Sequence, residues 1–400
     1  KPTIIAINSK ATIDLKNDNN IDLENLSKNY IKNLLNLNID NSYYVNNDVL
    51  NYFRKKVHDH MNNNYLDWSE NYKLFKNGSM IENIEKYDFL INEQNKIDLL
   101  KYEFYFDLNS DENLIFMNNK IMNEISKMVP NFIIGHTNSS NTILNEFDIS
   151  KNNFSFNNID FKTRENAMSS ILNGMSYYNY CLTAITSLTK IDNMKQSIRM
   201  STLLNKPIIY VFEEKTKSDY FKKPIEQLES LRNMPNMIVY RPADINELIG
   251  CWDMILKYRV PSSLILSDKK LEMIGSKEFV KYGAYIVKRE VKKLDGILIS
   301  SGYDVKNTLN IAEQLTKKYK YSLRIISMPS KELFDFQSIE YKSNLLPVGV
   351  RKIFIESSTH KEDYCYNITF NKYDTINKEL KYSNIDFNNV EERIVNYLQK

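Results

Sequence analysis

The chain has 400 residues, 42% of them hydrophobic and 26% charged, which is typical of a soluble globular protein with two or three domains. Its 53 lysine and arginine residues are balanced by 50 aspartate and glutamate residues, so the net charge of +3 gives no reason to expect a nucleic-acid partner. The longest apolar runs have the length of buried strands, and no signal-peptide pattern opens the chain, so we expect no membrane partner and no secretion.

The first 110 residues predict one long helix and little other regular structure. Residues 1–8, KPTIIAIN, have the pattern of a short apolar strand, and an asparagine-rich stretch after them predicts a loop. Apolar residues recur at helical spacing from Leu50 to Trp68 and predict a helix over residues 48–76. Residues 77–110 are polar and rich in Asn, Lys and Glu, and we interpret them as a linker.

From about residue 112 the pattern changes to strands that alternate with helices. The predicted strands are the apolar runs NFIIG, LTAITSL, PIIYVFEE, MIVYRPAD and SSLILSD. The segments between them have helical periodicity, among them NKIMNEISKMV, NMKQSIRMSTLLN and INELIGCWDMILKY. Such alternation predicts a mostly parallel sheet with helices on both faces.

The alternating pattern pauses near residues 272–282 and then begins again. The second series contains the strands GAYIVKRE, DGILISSG, SLRIISMPS and KIFIESS around the helix DVKNTLNIAEQLTKKY. The sequence therefore predicts an α/β fold with two successive domains, at residues 111–282 and 283–400, whose mostly parallel sheets are covered by helices. A helical N-terminal segment within residues 1–110 precedes them.

A single carboxylate, Glu165, begins the helical segment of FKTRENAMSSILNGMSYY at residues 161–178. Apolar residues from Ala167 to Met175 fall at helical spacing and would bury one face of this helix. A glutamate in the first turn suits the positive end of the helix dipole, which is a sufficient structural explanation. The residues alone leave open whether Glu165 has a chemical role as well.

Cysteine and histidine form no recognisable metal or nucleophile pattern. Cys181, Cys251 and Cys365 lie far apart and are odd in number, which favours a reducing compartment, the cytoplasm, over a disulfide framework. The four histidines are not spaced as metal ligands, so we predict no metal site in this chain.

Several segments, in order, resemble the transketolase family. They are NIDFKTRENAMSSILNGM, PIIYVF, KPIEQLESLRNMPNMIVYRPADINE, SSLILS, GAYIV, GILISSG and SMPSKELFD, and they follow the order of that family's pyrimidine-binding and C-terminal domains. KPTIIAIN and the helix after it resemble the end of the family's diphosphate-binding domain. The resemblance therefore implies a diphosphate-domain tail and linker at residues 1–110, a pyrimidine-binding domain at 111–282 and a C-terminal domain at 283–400.

The resemblance implies a specific chemistry. Transketolases use thiamine diphosphate and a divalent metal such as Mg²⁺ to move a two-carbon ketol unit between sugar phosphates in the pentose phosphate pathway. The family's glutamate at the position of Glu165 hydrogen-bonds a ring nitrogen of the cofactor's aminopyrimidine and favours the tautomer that removes the C2 proton. The resemblance thus predicts Glu165 as a catalytic and cofactor-binding residue.

At the cofactor positions the chain departs from the family pattern. The family's glycine-aspartate-glycine metal motif occurs nowhere in the sequence, so we expect a fragment, a split partner or a chain that has lost that half. Ser187 and Lys190 align with two aromatic residues that pack against the pyrimidine, and Asn138 aligns with an aspartate. A ring stack contributes roughly 1 kcal/mol beyond its burial, and neither serine nor lysine supplies it.

The predicted substrate positions differ from the family pattern as well. Lys222 lies about where the family has a substrate-contacting histidine. Ile115 and Asp268 align with two arginines that grip the substrate phosphate, and an aspartate there would repel a phosphate unless neighbouring lysines override it.

Two hypotheses remain. The first is a transketolase, or the pyrimidine-side half of a split one, that acts on sugar phosphates as a homodimer or with a separate diphosphate-binding chain. The second is a non-catalytic protein of the same fold kept for assembly or binding.

Overall fold

The structure is a computed structural model that describes residues 46–77, 113–129, 131–140, 158–178, 180–214, 225–270, 272–369, 373–376, 379–382 and 387–399. The chain forms two compact units, Lys1–Met80 and Ile81–Lys400. The strand predicted at residues 1–8 and residues 78–110 of the predicted linker lie outside the described part of the chain.

In the first unit, helix α1 spans Asn47–Asn77. The side-chain oxygen of Asn46 accepts a hydrogen bond from the backbone N–H of Asp48 at 2.8 Å and so satisfies a free donor at the start of the helix. The rings of Trp68 and Tyr72, one turn apart, stack with their centroids 5.1 Å from each other. The helix predicted over residues 48–76 is therefore confirmed.

The second unit contains a six-stranded sheet, sheet A, in which all strand pairs are parallel and the order is β2-β1-β3-β4-β6-β5. Its strands are β1 (Phe132–His136), β2 (Asn158–Asp160), β3 (Cys181–Ser187), β4 (Ile208–Glu214), β5 (Ile238–Tyr240) and β6 (Ser262–Ser267). Its helices are α2 (Leu114–Met128), α3 (Glu165–Met175), α4 (Lys195–Leu203), α5 (Gln227–Arg232) and α6 (Ile245–Tyr258).

Helices cover both faces of sheet A. Helices α2 and α6 bury one face in a core that includes Ile121 and Trp252, while α3, α4 and α5 bury the other with residues such as Leu172. Helix α6 begins at Asp244, whose side chain accepts a hydrogen bond from the backbone N–H of Glu247 at 2.9 Å. Because both faces are covered, the ends of the strands are where side chains of sheet A can meet a ligand.

Five further strands form a second sheet, sheet B, with the order β11-β10-β8-β9-β7. Its strands are β7 (Tyr285–Lys288), β8 (Gly296–Ser300), β9 (Leu323–Ser327), β10 (Lys352–Ile355) and β11 (Tyr366–Ile368). Only β7 is antiparallel to its neighbour in this sheet. Helices α7 (Asp304–Tyr319) and α10 (Phe387–Gln399) pack on one face, and α8 (Lys331–Asp335) and α9 (Ile339–Leu345) pack on the other. Strands β12 (Tyr373–Ile376) and β13 (Glu379–Tyr382) form a separate antiparallel pair.

The predicted fold class is confirmed, since two mostly parallel sheets covered by helices follow an N-terminal helix. The domain boundaries at residues 110–111 and 282–283 stay predictions. None of the helices in the described residues is both long enough and apolar enough to cross a lipid bilayer.

Buried charges join the carboxyl edge of sheet A to sheet B. The guanidinium of Arg241, just after β5, lies 2.8 Å from Asp304 Oδ2 and 3.3 Å from Glu214 Oε2. Glu356, just after β10, receives two hydrogen bonds from Arg232 at 2.8 and 3.0 Å. Burial raises the pKa of Glu214 although Arg241 opposes the shift. Burial would also raise the pKa of Glu356, but Arg232 and Arg241 outweigh it and hold that pKa well below its usual range.

Candidate functional site

The carboxyl ends of the parallel strands lie along one edge of sheet A, where binding sites of such folds are found. Strand β1 ends at His136 and β3 ends at Ser187, and these two strands are direct neighbours. Helix α3 begins at the same edge, because only residues 161–164 separate it from the end of β2. Its first residue is Glu165.

The carboxylate of Glu165 is buried, with 4% of the residue exposed. Its Oε2 atom accepts a hydrogen bond of 3.3 Å from the side-chain amide of Asn193. Asn193 is the last residue of a 3₁₀ helix, Leu188–Asn193, that follows β3 directly. The free backbone N–H groups at the start of α3 favour a negative charge at this position. A buried, oriented carboxylate therefore stands at the edge of the sheet.

Ser187 and Lys190 lie on the same segment as Asn193. Ser187 ends β3, is buried, and places its hydroxyl 3.0 Å from that of Thr189. Lys190 is exposed on the 3₁₀ helix. These two predicted positions therefore lie on the chain segment that also holds the hydrogen-bond partner of Glu165, and neither of them is aromatic.

Asn138 lies in the loop after β1, and its side chain is exposed. Its backbone N–H donates to Lys162 O at 2.7 Å, which ties this loop to the segment before Glu165. Beside it, the hydroxyls of Thr137, Ser139 and Thr186 lie 2.8 Å from one another and join the ends of β1 and β3. Asn138 therefore belongs to the same edge as Glu165.

The predicted substrate positions are more scattered. Asp268 follows β6, where its backbone N–H donates to Glu214 O at 3.2 Å, and β4 separates it from β3 and Ser187. Ile115 is a buried residue of α2 within the apolar core and offers no polar group to a phosphate. Lys222 lies outside the described residues.

The described residues contain no group of three or more His, Cys, Asp or Glu side chains that could hold a metal ion. The three cysteines are free thiols. His136, at the end of β1, has a pKa below its ordinary value because burial disfavours the charged ring, although the nearby Asp160 opposes the shift. It is thus a neutral group beside the site.

Sequence reasoning missed Asn193 and the hydroxyl cluster of Thr137, Ser139 and Thr186. Asn193 lies 28 residues after Glu165, and the contact depends on how the 3₁₀ helix turns after β3. No sequence spacing signals such a contact. The hydroxyl residues could have been noticed, because they end two adjacent predicted strands.

The Asn193 contact gives a testable prediction. We expect Asn193→Asp to lower the free energy of unfolding by about 1–2 kcal/mol near neutral pH, because a second carboxylate replaces the donor that faces buried Glu165. Chemical denaturation at neutral pH measures this effect, and Asn166→Asp, on an exposed position of α3 next to Glu165, is the matched control. Equal stability of both variants at neutral pH would contradict the contact.

Two family models match this chain. The model of the transketolase pyrimidine-binding domain matches residues 116–273, and the model of the transketolase-like C-terminal domain matches residues 283–377. The chain belongs to the transketolase family. The family resemblance predicted from the sequence is thereby confirmed.

Individual transketolases agree with the family models. The enzyme from Aquifex aeolicus is 31% identical over 327 residues, which are 76% of this chain and 46% of that relative. The chloroplastic transketolase from Solanum tuberosum is 35% identical over 257 residues, or 60% of this chain and 34% of the relative. The chain therefore spans less than half of the length of either relative.

Solved structures share the fold. Transketolase from Leishmania mexicana superposes with a TM-score of 0.75 at 23% identity, over 92% of this chain and 57% of that one. A split-gene transketolase, an inactive β4 tetramer, superposes with a TM-score of 0.54 at 16% identity, over 64% of this chain and 88% of that one.

The residues fit one end of thiamine diphosphate. At the aminopyrimidine end, Glu165 offers a buried carboxylate, and its Oε2 already accepts a hydrogen bond from the side-chain N–H of Asn193. A carboxylate is also the acceptor that a protonated ring nitrogen needs. At the diphosphate and metal end, the described residues supply no ligand set. Transketolase family membership implies both the cofactor and its divalent metal, and the described part of this chain offers an acceptor for the ring but no ligand set for the metal.

Proposed function

We propose that this chain is the pyrimidine-side part of a transketolase, which transfers a two-carbon ketol unit between sugar phosphates when a diphosphate-binding part completes the site. The observation that carries the proposal is the buried carboxylate of Glu165 at the carboxyl edge of sheet A, held by Asn193. Family membership supports the substrate class, the role in the pentose phosphate pathway and a location in the cytoplasm.

In this proposal each residue of the edge has a defined task. Thiamine diphosphate, when bound, supplies the carbon nucleophile of the reaction. Glu165 binds the N–H of the aminopyrimidine ring and holds the proton there, while Asn193 fixes the orientation of the carboxylate by its hydrogen bond to Oε2. We assign Asn138, Ser187 and Lys190 to binding of the ring and Asp268 to the substrate, whereas Lys222, which the resemblance also assigns to the substrate, lies outside the described residues.

The proposed assembly has to complete the diphosphate and metal end of the site. We propose either a homodimer or a complex with a separate diphosphate-binding chain, since the described residues hold no metal ligands. The existence of a split-gene transketolase with the same fold supports the second arrangement.

A second candidate function is supported by Ser187 and Lys190. A non-catalytic transketolase-fold protein, kept for assembly or binding, does not need rings against the pyrimidine, and neither position supplies one. Under this alternative Glu165 would be a residue of fold stability alone.

A ketol-transfer assay separates the two functions. The full chain is mixed with a transketolase diphosphate-binding chain, thiamine diphosphate and Mg²⁺, and transfer from xylulose 5-phosphate to ribose 5-phosphate is followed. We expect turnover that falls by roughly 10²–10⁴-fold in Glu165→Gln, because a proton-transfer partner is lost. Glu124→Gln, on a side chain that is 43% exposed in α2, should leave turnover unchanged. Complete absence of turnover in the wild-type mixture, with the two chains shown to associate, would favour the non-catalytic alternative.

A further inference from the structure

A cavity lies against β7, an edge strand of sheet B. It has a volume of about 430 Å³, within the range of roughly 300–1,000 Å³ that small-ligand sites occupy. Its wall is formed by the 3₁₀ helix Val280–Tyr282, strand β7 and helix α9. None of the residues of the candidate site on sheet A lines it.

Aromatic residues make up half of the wall, four of its eight lining residues. Tyr282 and Tyr341 stack with centroids 4.8 Å apart and planes 19° from parallel. Phe279 packs on Tyr282 and Tyr285 at 6.3 and 5.7 Å and keeps 49% of its surface exposed. A partly exposed ring in such a wall is a surface on which a flat ligand can stack.

Two of the three tyrosine hydroxyls of the wall form hydrogen bonds inside the protein. Tyr341 donates to Ala284 O at 2.7 Å, and Tyr285 donates to Glu247 Oε1 at 2.7 Å. These bonds hold the two rings in place. The wall is therefore rigid, so a ligand would find it already formed.

A positive charge stands at the rim of the cavity. Arg289 is the charged residue of the lining and is exposed, and none of the ion pairs or hydrogen bonds among the described residues involves its side chain. The neighbouring carboxylate of Glu290 is bound by Arg324, with an Nε–oxygen distance of 2.9 Å. The guanidinium of Arg289 is thus available to a carboxylate or phosphate, which it can bind through two parallel N–H groups. Asn344 adds an exposed side-chain amide, a donor and acceptor suited to a heterocycle edge.

We propose that this cavity binds a flat heteroaromatic anion of nucleotide size, with its ring on Phe279 and its phosphate on Arg289. Aromatic walls alone would accept any apolar ligand, and a surface arginine alone would accept any anion. Their combination within one preformed cavity selects a ligand that carries both features. This site is independent of the proposed ketol transfer.

Calorimetric titration of the full chain with AMP, adenosine and inorganic phosphate tests the proposal. We expect AMP to bind at least about 10-fold more tightly than adenosine, because the charge-assisted bond to Arg289 is added, and phosphate alone not to bind measurably. Arg289→Ala should weaken AMP about 10-fold and leave adenosine unchanged, whereas Phe279→Leu should weaken both ligands by the same factor. Arg199→Ala, an exposed arginine on α4, is the matched control and should change neither.

Three outcomes would overturn the proposal. One is the absence of AMP binding at millimolar concentration, and another is AMP binding that Arg289→Ala leaves intact. The third is self-association of the chain that Phe279→Leu abolishes, since the exposed ring would then serve a contact between copies. The melting temperature of each variant shows whether it is folded.

Discussion

Arg241→Met should lower the free energy of unfolding by about 3–5 kcal/mol and the melting temperature by roughly 10 °C. The guanidinium is 2% exposed and lies against Glu214, Asp304 and Glu356, of which the last two are at most 1% exposed. Removing it leaves two buried carboxylates and the partly buried Glu214 without a shared positive partner, although Arg232 still binds Glu356. Because methionine keeps most of the side-chain volume, the lower free energy of unfolding would come from the missing charge more than from lost packing.

Two further variants show whether the loss comes from the charges. Asp304→Asn in the Arg241→Met background should recover about 1–2 kcal/mol, because one of the unpaired carboxylates is neutralised. Lys306→Met is the control, since its pair with Glu272 is exposed at 33% and 73% and should contribute less than about 1 kcal/mol. Thermal and chemical denaturation of all three variants give the comparison. A stability of Arg241→Met within about 1 kcal/mol of the wild type would contradict a structural role for the network.

His360→Gln should remove a stabilisation that is present in acid and lost as the pH rises. His360 is 5% exposed, and its two ring nitrogens face two carboxylates, Glu229 on α5 and Glu362, the latter at 2.9 Å. Burial lowers the pKa of His360 and Arg232 does so too, but the hydrogen bond that His360 donates to Glu362 and the charge of Glu356 outweigh them, so the pKa is raised. Both nitrogens can donate only when the ring is charged.

The direction of the pH dependence follows from the raised pKa. A group whose pKa is higher in the folded than in the unfolded state stabilises the folded protein. This stabilisation is complete at pH values below the unfolded-state pKa, near 6.5 for histidine, and it is lost as the pH rises through the folded-state pKa. The advantage of the wild type over His360→Gln should therefore be about 1–2 kcal/mol near pH 6 and should shrink toward pH 9.

His136→Gln is the matched control for this experiment. Burial lowers the pKa of His136, so this histidine costs stability in acid, where the unfolded state binds the proton more readily. The difference between wild type and His136→Gln should therefore change with pH in the opposite sense to that of His360→Gln. Denaturant titrations at several pH values measure both. A His360→Gln difference that is constant from pH 6 to 9 would contradict a charged His360.

The sequence pattern was sufficient for most of the fold because the strands of a doubly covered sheet are nearly continuous apolar runs. PIIYVFEE became β4 and SSLILSD became β6, both buried over nearly their whole length. Strand β2 was not predicted because it has three residues, of which none is buried. The amphipathic helix α10 and the pair of β12 and β13 also had no counterpart in the sequence-based prediction.

The candidate site was predictable in its position but less so in its contacts. Family motifs indicated Glu165, Ser187, Lys190 and Asn138, and parallel strands bring these positions to one edge because their carboxyl ends coincide. The partner of Glu165 depends on the 3₁₀ helix after β3, which has no periodicity long enough to detect. The buried network around Arg241 was not predicted either, because its members come from four separate segments of the chain.

Exchange of the C2 proton of thiamine diphosphate against deuterium is the most direct test of the role assigned to Glu165. The full chain, assembled with a diphosphate-binding chain and Mg²⁺, is mixed with the cofactor in D₂O, and the exchange rate is read by proton NMR after rapid acid quenching. We expect exchange that is faster than in free cofactor, slower by at least about 100-fold in Glu165→Gln, and unchanged in Glu124→Gln. Equal exchange rates in wild type and Glu165→Gln would show that this carboxylate does not act on the cofactor.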